Sequence, residues 1–429
     1  MITRIEALNY RCFQWVKRDL GPFHVLVGPN GSGKSTFLDV PALAGDILRH
    51  GALDFGEAIE ARAPNYFDLF WNGKGQSFEI AVEAEIPSRF HPMLKPKWSD
   101  EDWESSAPPV CRYEIAVGSV GEHQELGILR EEVLIGLPDR PDPQSVPGPP
   151  APPCVLSREG GEKWVTVNIR DQSGVAQLIP ETEDAYVGSA LVASFRFGPR
   201  MSAFSNLPND ESRCPVAVWF KRFLMADLVT VSLNSSAMRW PSSLAAKRSF
   251  QPDGSSLPWI LESFLTDPQS LAVQQWLEHV RIAIPELRSV RVVERPEDRN
   301  RYLKLTFDSG LELPSWLVSD GTLRFLALSL LPYLPGLKGT YLVEEPENGI
   351  HPTAVELVFQ ALSSVRGGQV LVATHSPAIL GLAEIDKVLC FRKSEEGGIS
   401  IVPGNEHPNL RHWKGEVSLD VLFAGGVLG

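Results

Sequence analysis

Four short stretches hold residue types suited to handling a triphosphate. In Gly28-Pro29-Asn30-Gly31-Ser32-Gly33-Lys34-Ser35-Thr36 the spacing fits G-x-x-x-x-G-K-[ST], between an apolar run at 23–27 and a helix-like run at 34–49. Strand, glycine loop and helix form the context in which that spacing cradles phosphate. The glycines let successive N–H groups turn inward, and the helix N-terminus adds positive potential. Lys34 is expected to neutralise β- and γ-oxygens and the Ser35 hydroxyl to ligate Mg²⁺, with Asn30, Gly31, Ser32, Gly33 and Thr36 completing the cradle.

The second stretch, GTYLVEEPENGIHP at 339–352, is an apolar strand closed by Glu344, Glu345 and Pro346. Successive strand residues face opposite sides, so only one carboxylate can address a metal, and the other, just past the end, is placed to hold a water. We assign Glu344 to Mg²⁺ and Glu345 to orienting and deprotonating the attacking water. Two glutamates after a strand are ordinarily a solvated turn; the phosphate loop is what moves the reading toward catalysis. The third stretch, Ser319-Asp320-Gly321, opens an apolar-periodic helix within 317–331. Alone it is an N-cap. In the functional reading the same helix end and the Ser319 hydroxyl meet a γ-phosphate brought by another subunit. The fourth is Thr374-His375-Ser376 at a strand end, where the imidazole is placed to hydrogen-bond a γ-phosphate, although a lone histidine there is usually structural.

The elements that must position these residues are legible in outline. Residues 2–8 alternate like a strand, as do 77–86 and 112–117, whereas 138–153 holds eight prolines and reads as an exposed polyproline-like loop or linker. Between about 185 and 285 the pattern turns helical, at 257–265 and 271–280. From 287 strands return in SVRVVE, YLKLTF, TYLVEE, QVLVAT and KVLCF. The expectation is a parallel α/β sheet assembled from both ends of the chain, with the middle inserted. No heptad pattern persists, so no long coiled-coil arm is expected.

Composition bounds the class. With 429 residues, 43% of them hydrophobic, the chain can bury a sizeable core. Its net charge of −13 argues against a surface that is basic all over. Arg196, Arg200, Arg239, Lys247 and Arg248 are candidates for a local basic surface that would bind nucleic acid, with scattered solvated charges as the other reading. The cysteines Cys12, Cys111, Cys154, Cys214 and Cys390 lack a CxxC pair or metal-ligand spacing, which favours a reducing cytoplasm over a disulfide framework. The N-terminal segment is mixed and polar, and no long apolar run occurs, so a cytoplasmic location without membrane partner is expected.

The order of the four motifs resembles the ABC-type ATPase heads of the SMC, RecF and OLD-like (overcoming lysogenization defect) group. VGPNGSGKST, SDGTLRFLAL, EEPENGIHP and ATHSP are similar to OLD-like ATPases of bacteria and archaea, as are 238–261 and the ending 413–429. The resemblance implies an α/β P-loop NTPase of ABC-ATPase head type, a mixed sheet flanked by helices with a large inserted α+β lid domain. On that plan 1–90 and 286–429 are the two parts of the ATPase core and 91–285 is the inserted lid or dimerisation region. It implies ATP and Mg²⁺, and a homodimer in which each ATP lies between Lys34 of one subunit and Ser319-Gly321 of the other. Arg11 is implied near the phosphates. Two departures stand out: Glu344 takes the place of the commoner aspartate, and the glutamine loop has only Gln76 as a nearby candidate. OLD-type nucleases carry a Toprim domain after the ATPase core; with about 50 residues after His375, none is expected here, and nuclease or toxin activity would reside in a separately encoded effector. A Ras-like GTPase would need an N/T-K-x-D guanine reader, and an AAA+ ring ATPase would lack Ser-x-Gly before its metal strand. A nucleotide-held scaffold with scarce turnover and a transporter ATPase subunit are the other readings.

Overall fold

The structure is a computed structural model that describes residues 1–138, 163–182, 193–393 and 398–408. Nearly all of the proline-rich stretch, Cys154 and the ending 413–429 lie outside the described residues. The chain divides into two units, each compact: Met1–Gly21 with Asn30–Leu228 and Arg392–Ile401, and Pro22–Pro29 with Val229–Phe391 and Val402–Gly429.

In chain order the strands are β1 (Ile2–Tyr10), β2 (Phe13–Asp19), β3 (Phe23–Val27), β4 (Ser77–Glu85), β5 (Val110–Val120), β6 (Glu125–Gly136), β7 (Trp164–Arg170), β8 (Val175–Leu178) and β9 (Ala193–Arg196). There follow β10 (Leu228–Val231), β11 (Leu287–Glu294), β12 (Arg301–Phe307), β13 (Glu312–Pro314), β14 (Thr340–Glu344), β15 (Gln369–Ala373), β16 (Val388–Lys393) and β17 (Ile399–Pro403).

The first unit holds one sheet in the order β2-β1-β4-β5-β6-β7-β8-β9, antiparallel throughout. Pairing runs from β4 into β5 and β6 without a break at residue 90. Period-two alternation in β4 puts Phe78, Ile80 and Val82 on one face, and the phosphate-loop helix Lys34–His50 packs on β4 and β1. The other face carries charge, most of it buried: Glu6, Glu83, Arg112 and Glu114 are buried and Arg130 is partly exposed. Arg112 donates to Glu6 (2.9 Å), Glu83 (2.6 Å) and Glu114 (2.6 Å), and Arg130 donates to Glu114 (2.6 Å). Burial works against the Arg112 charge, yet Glu6, Glu114 and Glu83 hold its pKa well above the usual arginine range. Such a network contributes little net stability compared with an apolar face, but removing one member strands the others, at a cost of roughly 3–5 kcal/mol. It ties β1, β4 and β5 in one register.

The second unit is built on a sheet in which five strands run in the order β10-β14-β15-β3-β16, and β14, β15, β3 and β16 are mutually parallel. The N-terminal strand β3 thus sits inside a sheet otherwise made from the second half of the chain, as expected. Val25 and Val27 pack with Val343, Val372, Leu326, Val358 and Trp276 in one core. The helices Leu257–Phe264, Leu271–Ala283, Asp320–Leu330 and Pro352–Ser363 supply its apolar faces. One expectation is corrected. SVRVVE and YLKLTF do not join the parallel sheet; they form β11 and β12, paired antiparallel with each other and, through β12, with β13 in a separate three-stranded sheet. The physical reason is the link between them: residues 295–300 are too few for a crossover, which needs a dozen or more, and suffice for a hairpin. Among the described residues no helix is long and apolar enough to cross a membrane.

One buried carboxyl in the first unit makes its stability depend on pH. Glu181 accepts from the Val216 N–H (2.7 Å) and the Ala217 N–H (2.8 Å), capping the helix Pro215–Arg222. Burial raises its pKa to about 7, against the pull of those two N–H groups. A carboxyl whose folded pKa exceeds the unfolded one favours the fold most at low pH and loses that contribution as pH rises through 7. Wild type is therefore expected to lose about 2 kcal/mol between pH 5 and pH 8 that Glu181→Gln does not lose, measured by urea unfolding at both pH values. Parallel pH profiles of the two proteins would refute this.

Candidate functional site

β3 ends at Val27, and the loop that follows carries left-handed backbone at Gly31 (φ 73°) and Gly33 (φ 93°) before the helix opens at Lys34. A Cβ on Gly33 would meet Cys12 Sγ at 2.8 Å and Phe13 at 3.1 Å, so both conformation and space demand glycine. A Cβ on Gly31 would meet nothing within 4 Å, so the loop there borders open space. No side chain caps the helix N-terminus and no acidic residue sits in its first turn, which leaves its positive end uncompensated from within the helix. Lys34 and Ser32 are buried and Ser35 is exposed; the Ser32 hydroxyl has no hydrogen-bond partner among the described groups. Asn30 is exposed and Thr36 half-buried.

Beside this helix stands the β1–β2 connection. Tyr10 Oη donates to Asp39 (2.5 Å), Arg62 Nε donates to the same carboxylate (2.7 Å), and Arg11 lies 3.6 Å from it. Arg11 also donates to the Arg62 carbonyl (3.2 Å), so the structure places it against the helix through Asp39. Burial, with the Asp39 charge second, pushes the Tyr10 hydroxyl well up, and burial pushes the Cys12 thiol up. Gln76 is exposed, in the turn before β4.

In the second unit the carboxylates and the histidine meet at one end of the sheet. β14 ends at Glu344, which is exposed, and β15 pairs Ala373 with it. The loop after β3 leaves from the same end, because β14, β15 and β3 are parallel neighbours. Carboxyl ends of such strands are where α/β sheets bind ligands. Glu345 follows with φ 45°, a left-handed conformation that a glutamate adopts only at a cost of about 1–3 kcal/mol. Its N–H donates to the Ala373 carbonyl (2.7 Å), its carboxylate accepts from the Asn348 amide, and its Oε1 lies 3.9 Å from His375 Nε2. Glu345 and His375 are therefore brought together at a partly exposed end.

Ser319 caps the helix Asp320–Leu330: its Oγ accepts from the Thr322 N–H (3.2 Å) and donates to Thr322 Oγ1 (2.8 Å). The cap of the plain reading is thus present, on an exposed helix end that a ligand can reach. A Cβ on Gly321 would lie 2.4 Å from the Gly349 carbonyl oxygen, so this helix end rests directly on the backbone of the loop following Glu345. Arg239 pairs with Asp320 (2.6 Å) and donates to the Val318 carbonyl (3.1 Å). Of the other basic candidates, Arg200 pairs with Asp54 (3.0 Å) and Arg248 stacks over Trp259 (4.9 Å), while Arg196 and Lys247 are exposed. Three of the five are thus engaged locally, in favour of scattered charges.

Residues 241–381 match the family described as "AAA domain, putative AbiEii toxin, Type IV TA system". That stretch is about a third of the chain; it holds Ser319, Glu344, Glu345 and His375, while the phosphate loop at 28–36 lies outside it. A 48-residue stretch is 40% identical to an OLD nuclease of Thermus scotoductus, covering 11% of this chain and 9% of that protein. The match thus spans under a tenth of the nuclease's length. Two solved structures are similar: an SMC head bound to the C-terminal winged-helix domain of ScpA (TM-score 0.49, 15% identity, covering 94% of this chain and 97% of that one) and an SMC head domain from Thermotoga maritima (0.39, 10%, 94% and 98%).

The residues around the phosphate loop fit a nucleoside triphosphate and its magnesium. The uncapped helix end, the left-handed glycine and the partnerless Ser32 hydroxyl suit phosphate oxygens. Ser35 and Glu344 each carry a hard oxygen of the type that magnesium takes alongside phosphate oxygens and water. The sequence reading missed Asn348, which holds Glu345, and Glu347, whose Oε1 accepts from Thr374 Oγ1 (2.6 Å). Their only sequence signal was adjacency to the Glu-Glu pair. It also missed the contact of Gly321 with Gly349, since spacing says nothing of which backbones touch.

That contact gives a test independent of nucleotide. Gly321→Ala is expected to destabilise the protein by about 1–3 kcal/mol in chemical denaturation, because the added methyl must displace the 349 carbonyl. Unchanged stability would show that the two backbones are not in contact.

Proposed function

We propose that this protein is a Mg²⁺-dependent, ATP-hydrolysing homodimer whose nucleotide state gates a separately encoded effector. The observation that carries the reading is the convergence at one sheet end of the phosphate loop's origin, the Glu344-Glu345 pair and His375, on three neighbouring parallel strands. Lys34 and the loop N–H groups hold the triphosphate, with Arg11 beside the helix. Magnesium bound by Ser35 and Glu344 would neutralise charge on the β- and γ-oxygens. Glu345 accepts a proton from water as its oxygen attacks the γ-phosphorus; the bond to the bridging oxygen breaks and ADP departs. His375 steadies the γ-phosphate. Ser319 and Gly321 of the second copy complete each site, Ser319 turning its proton from Thr322 to the phosphate.

The effector is a nuclease or toxin, in DNA metabolism or antiphage defence. The family description naming an AbiEii toxin and the short likeness to an OLD nuclease support that direction. Nucleic acid binding by the protein itself draws little support from the locally engaged arginines.

Purified protein tests the reading directly. Lys34→Ala is expected to abolish ATP binding in calorimetry. Glu345→Gln should bind ATP normally, hydrolyse it at least about 10²-fold more slowly and accumulate dimers in light scattering. Ser319→Arg should leave monomer binding intact and block pairing. A protein that stays monomeric with saturating ATP and Mg²⁺, even as Glu345→Gln, overturns the shared-site reading; turnover well below one per minute with ATP-stable dimers would favour a scaffold.

A further inference from the structure

We infer that Glu347 is a positioning residue for His375, acting through the Thr374 hydroxyl; this rests on the reading of Glu345 and His375 proposed above. Thr374 Oγ1 donates to Glu347 Oε1 (2.6 Å) and accepts from the Ser376 N–H (2.9 Å). The direction of this chain is fixed by chemistry. The Ser376 N–H can only donate, so the Thr374 oxygen accepts from it and turns its own proton to Glu347. Each bond polarises the next. His375 lies between the two residues so joined, and its backbone is pinned on both sides.

The turn Glu345-Pro346-Glu347-Asn348 therefore reaches both reactive groups. The Asn348 N–H donates to the Glu345 carbonyl (3.0 Å), closing the turn, and its amide side chain holds the Glu345 carboxylate. Glu347 holds the histidine loop. One rigid four-residue turn thus sets the distance between Glu345 and His375, 3.9 Å between Oε1 and Nε2. Glu347 is half-buried, and its second oxygen is buried with no partner among the described groups, so the carboxylate has one side-chain hydrogen bond to show for that placement. Leaving a buried carboxylate oxygen without a partner is costly if stability were the only return. Alignment of His375 is the return that the geometry offers.

The test is a double-mutant cycle on the full-length protein, read as kcat and KM for ATP hydrolysis. Glu347→Ala and Thr374→Val are each expected to lower kcat by about 10-fold or more, since small misplacements of reacting groups carry costs of that order, with KM within about twofold of wild type. The double variant should lose no more than either single one. Thr374→Ser and Glu347→Gln, which keep the hydroxyl and an acceptor oxygen, should recover most of the rate. Thr374→Val, isosteric with threonine, carries the same expectation should Glu347→Ala fail to fold. Losses that multiply, or a raised KM with unchanged kcat, would overturn the inference. If instead His375→Ala and Glu345→Gln both hydrolyse ATP at the wild-type rate, the catalytic reading itself falls. If those two lose activity while Glu347 and Thr374 behave independently, this inference alone falls.

Discussion

The backbone ladder that joins β14, β15 and β3 is the constraint from which the chemistry follows. Parallel pairing sends neighbouring strands out of the sheet at the same end, so whatever follows Val27, Val343 and Ala373 must emerge side by side. A strand from residues 23–27 can be brought beside strands from 340–373 in this way without any side chain specifying the meeting. The apolar runs in β3, β14 and β15 are what make it stable, since strands buried on both faces read as continuous hydrophobic stretches.

At that end the structure spends stability on geometry. Glu345 sits in a left-handed conformation, Glu347 is half-buried with one partner, and Gly321 leaves no room for a methyl group against the 349 carbonyl. Strain of this kind persists only where surrounding contacts over-determine the backbone. Here those contacts are the Glu345 N–H to the Ala373 carbonyl, the turn closed at Asn348 and the Thr374 bridge.

Much of this was legible in the sequence, for identifiable reasons. The phosphate loop announces itself because glycine, lysine and serine at fixed offsets have one common use, and the apolar runs at 23–27 and 340–343 betray buried strands. The second strand, β2, was missed because FQWVKRD mixes charge into both phases of the alternation. Assigning β11 and β12 to the parallel sheet ignored the length of their link. Pairing partners at long range, such as β4 with β1 and the Arg112 network across three strands, lie beyond local pattern: alternation tells that a residue faces one side but not what it faces there. The roles of Glu347 and Asn348 were hidden for a related reason, because their meaning lies in a turn whose closure spacing alone does not reveal.

The place of β3 also bears on how the protein is made. Its hydrogen-bonding neighbours are β15 and β16, whose paired residues are synthesised about 345–365 positions later. At typical ribosomal rates of about 5–20 residues per second, the strand waits on the order of 20–70 s with both edges open. For that interval Phe23-His24-Val25-Leu26-Val27 is an unpaired apolar segment, the kind that chaperones shield and that otherwise seeks strands of other chains. Nascent chains that stop short of residue 369 lack both flanking strands, so the loop after Val27 has no sheet to hold it until β15 and β16 have been made.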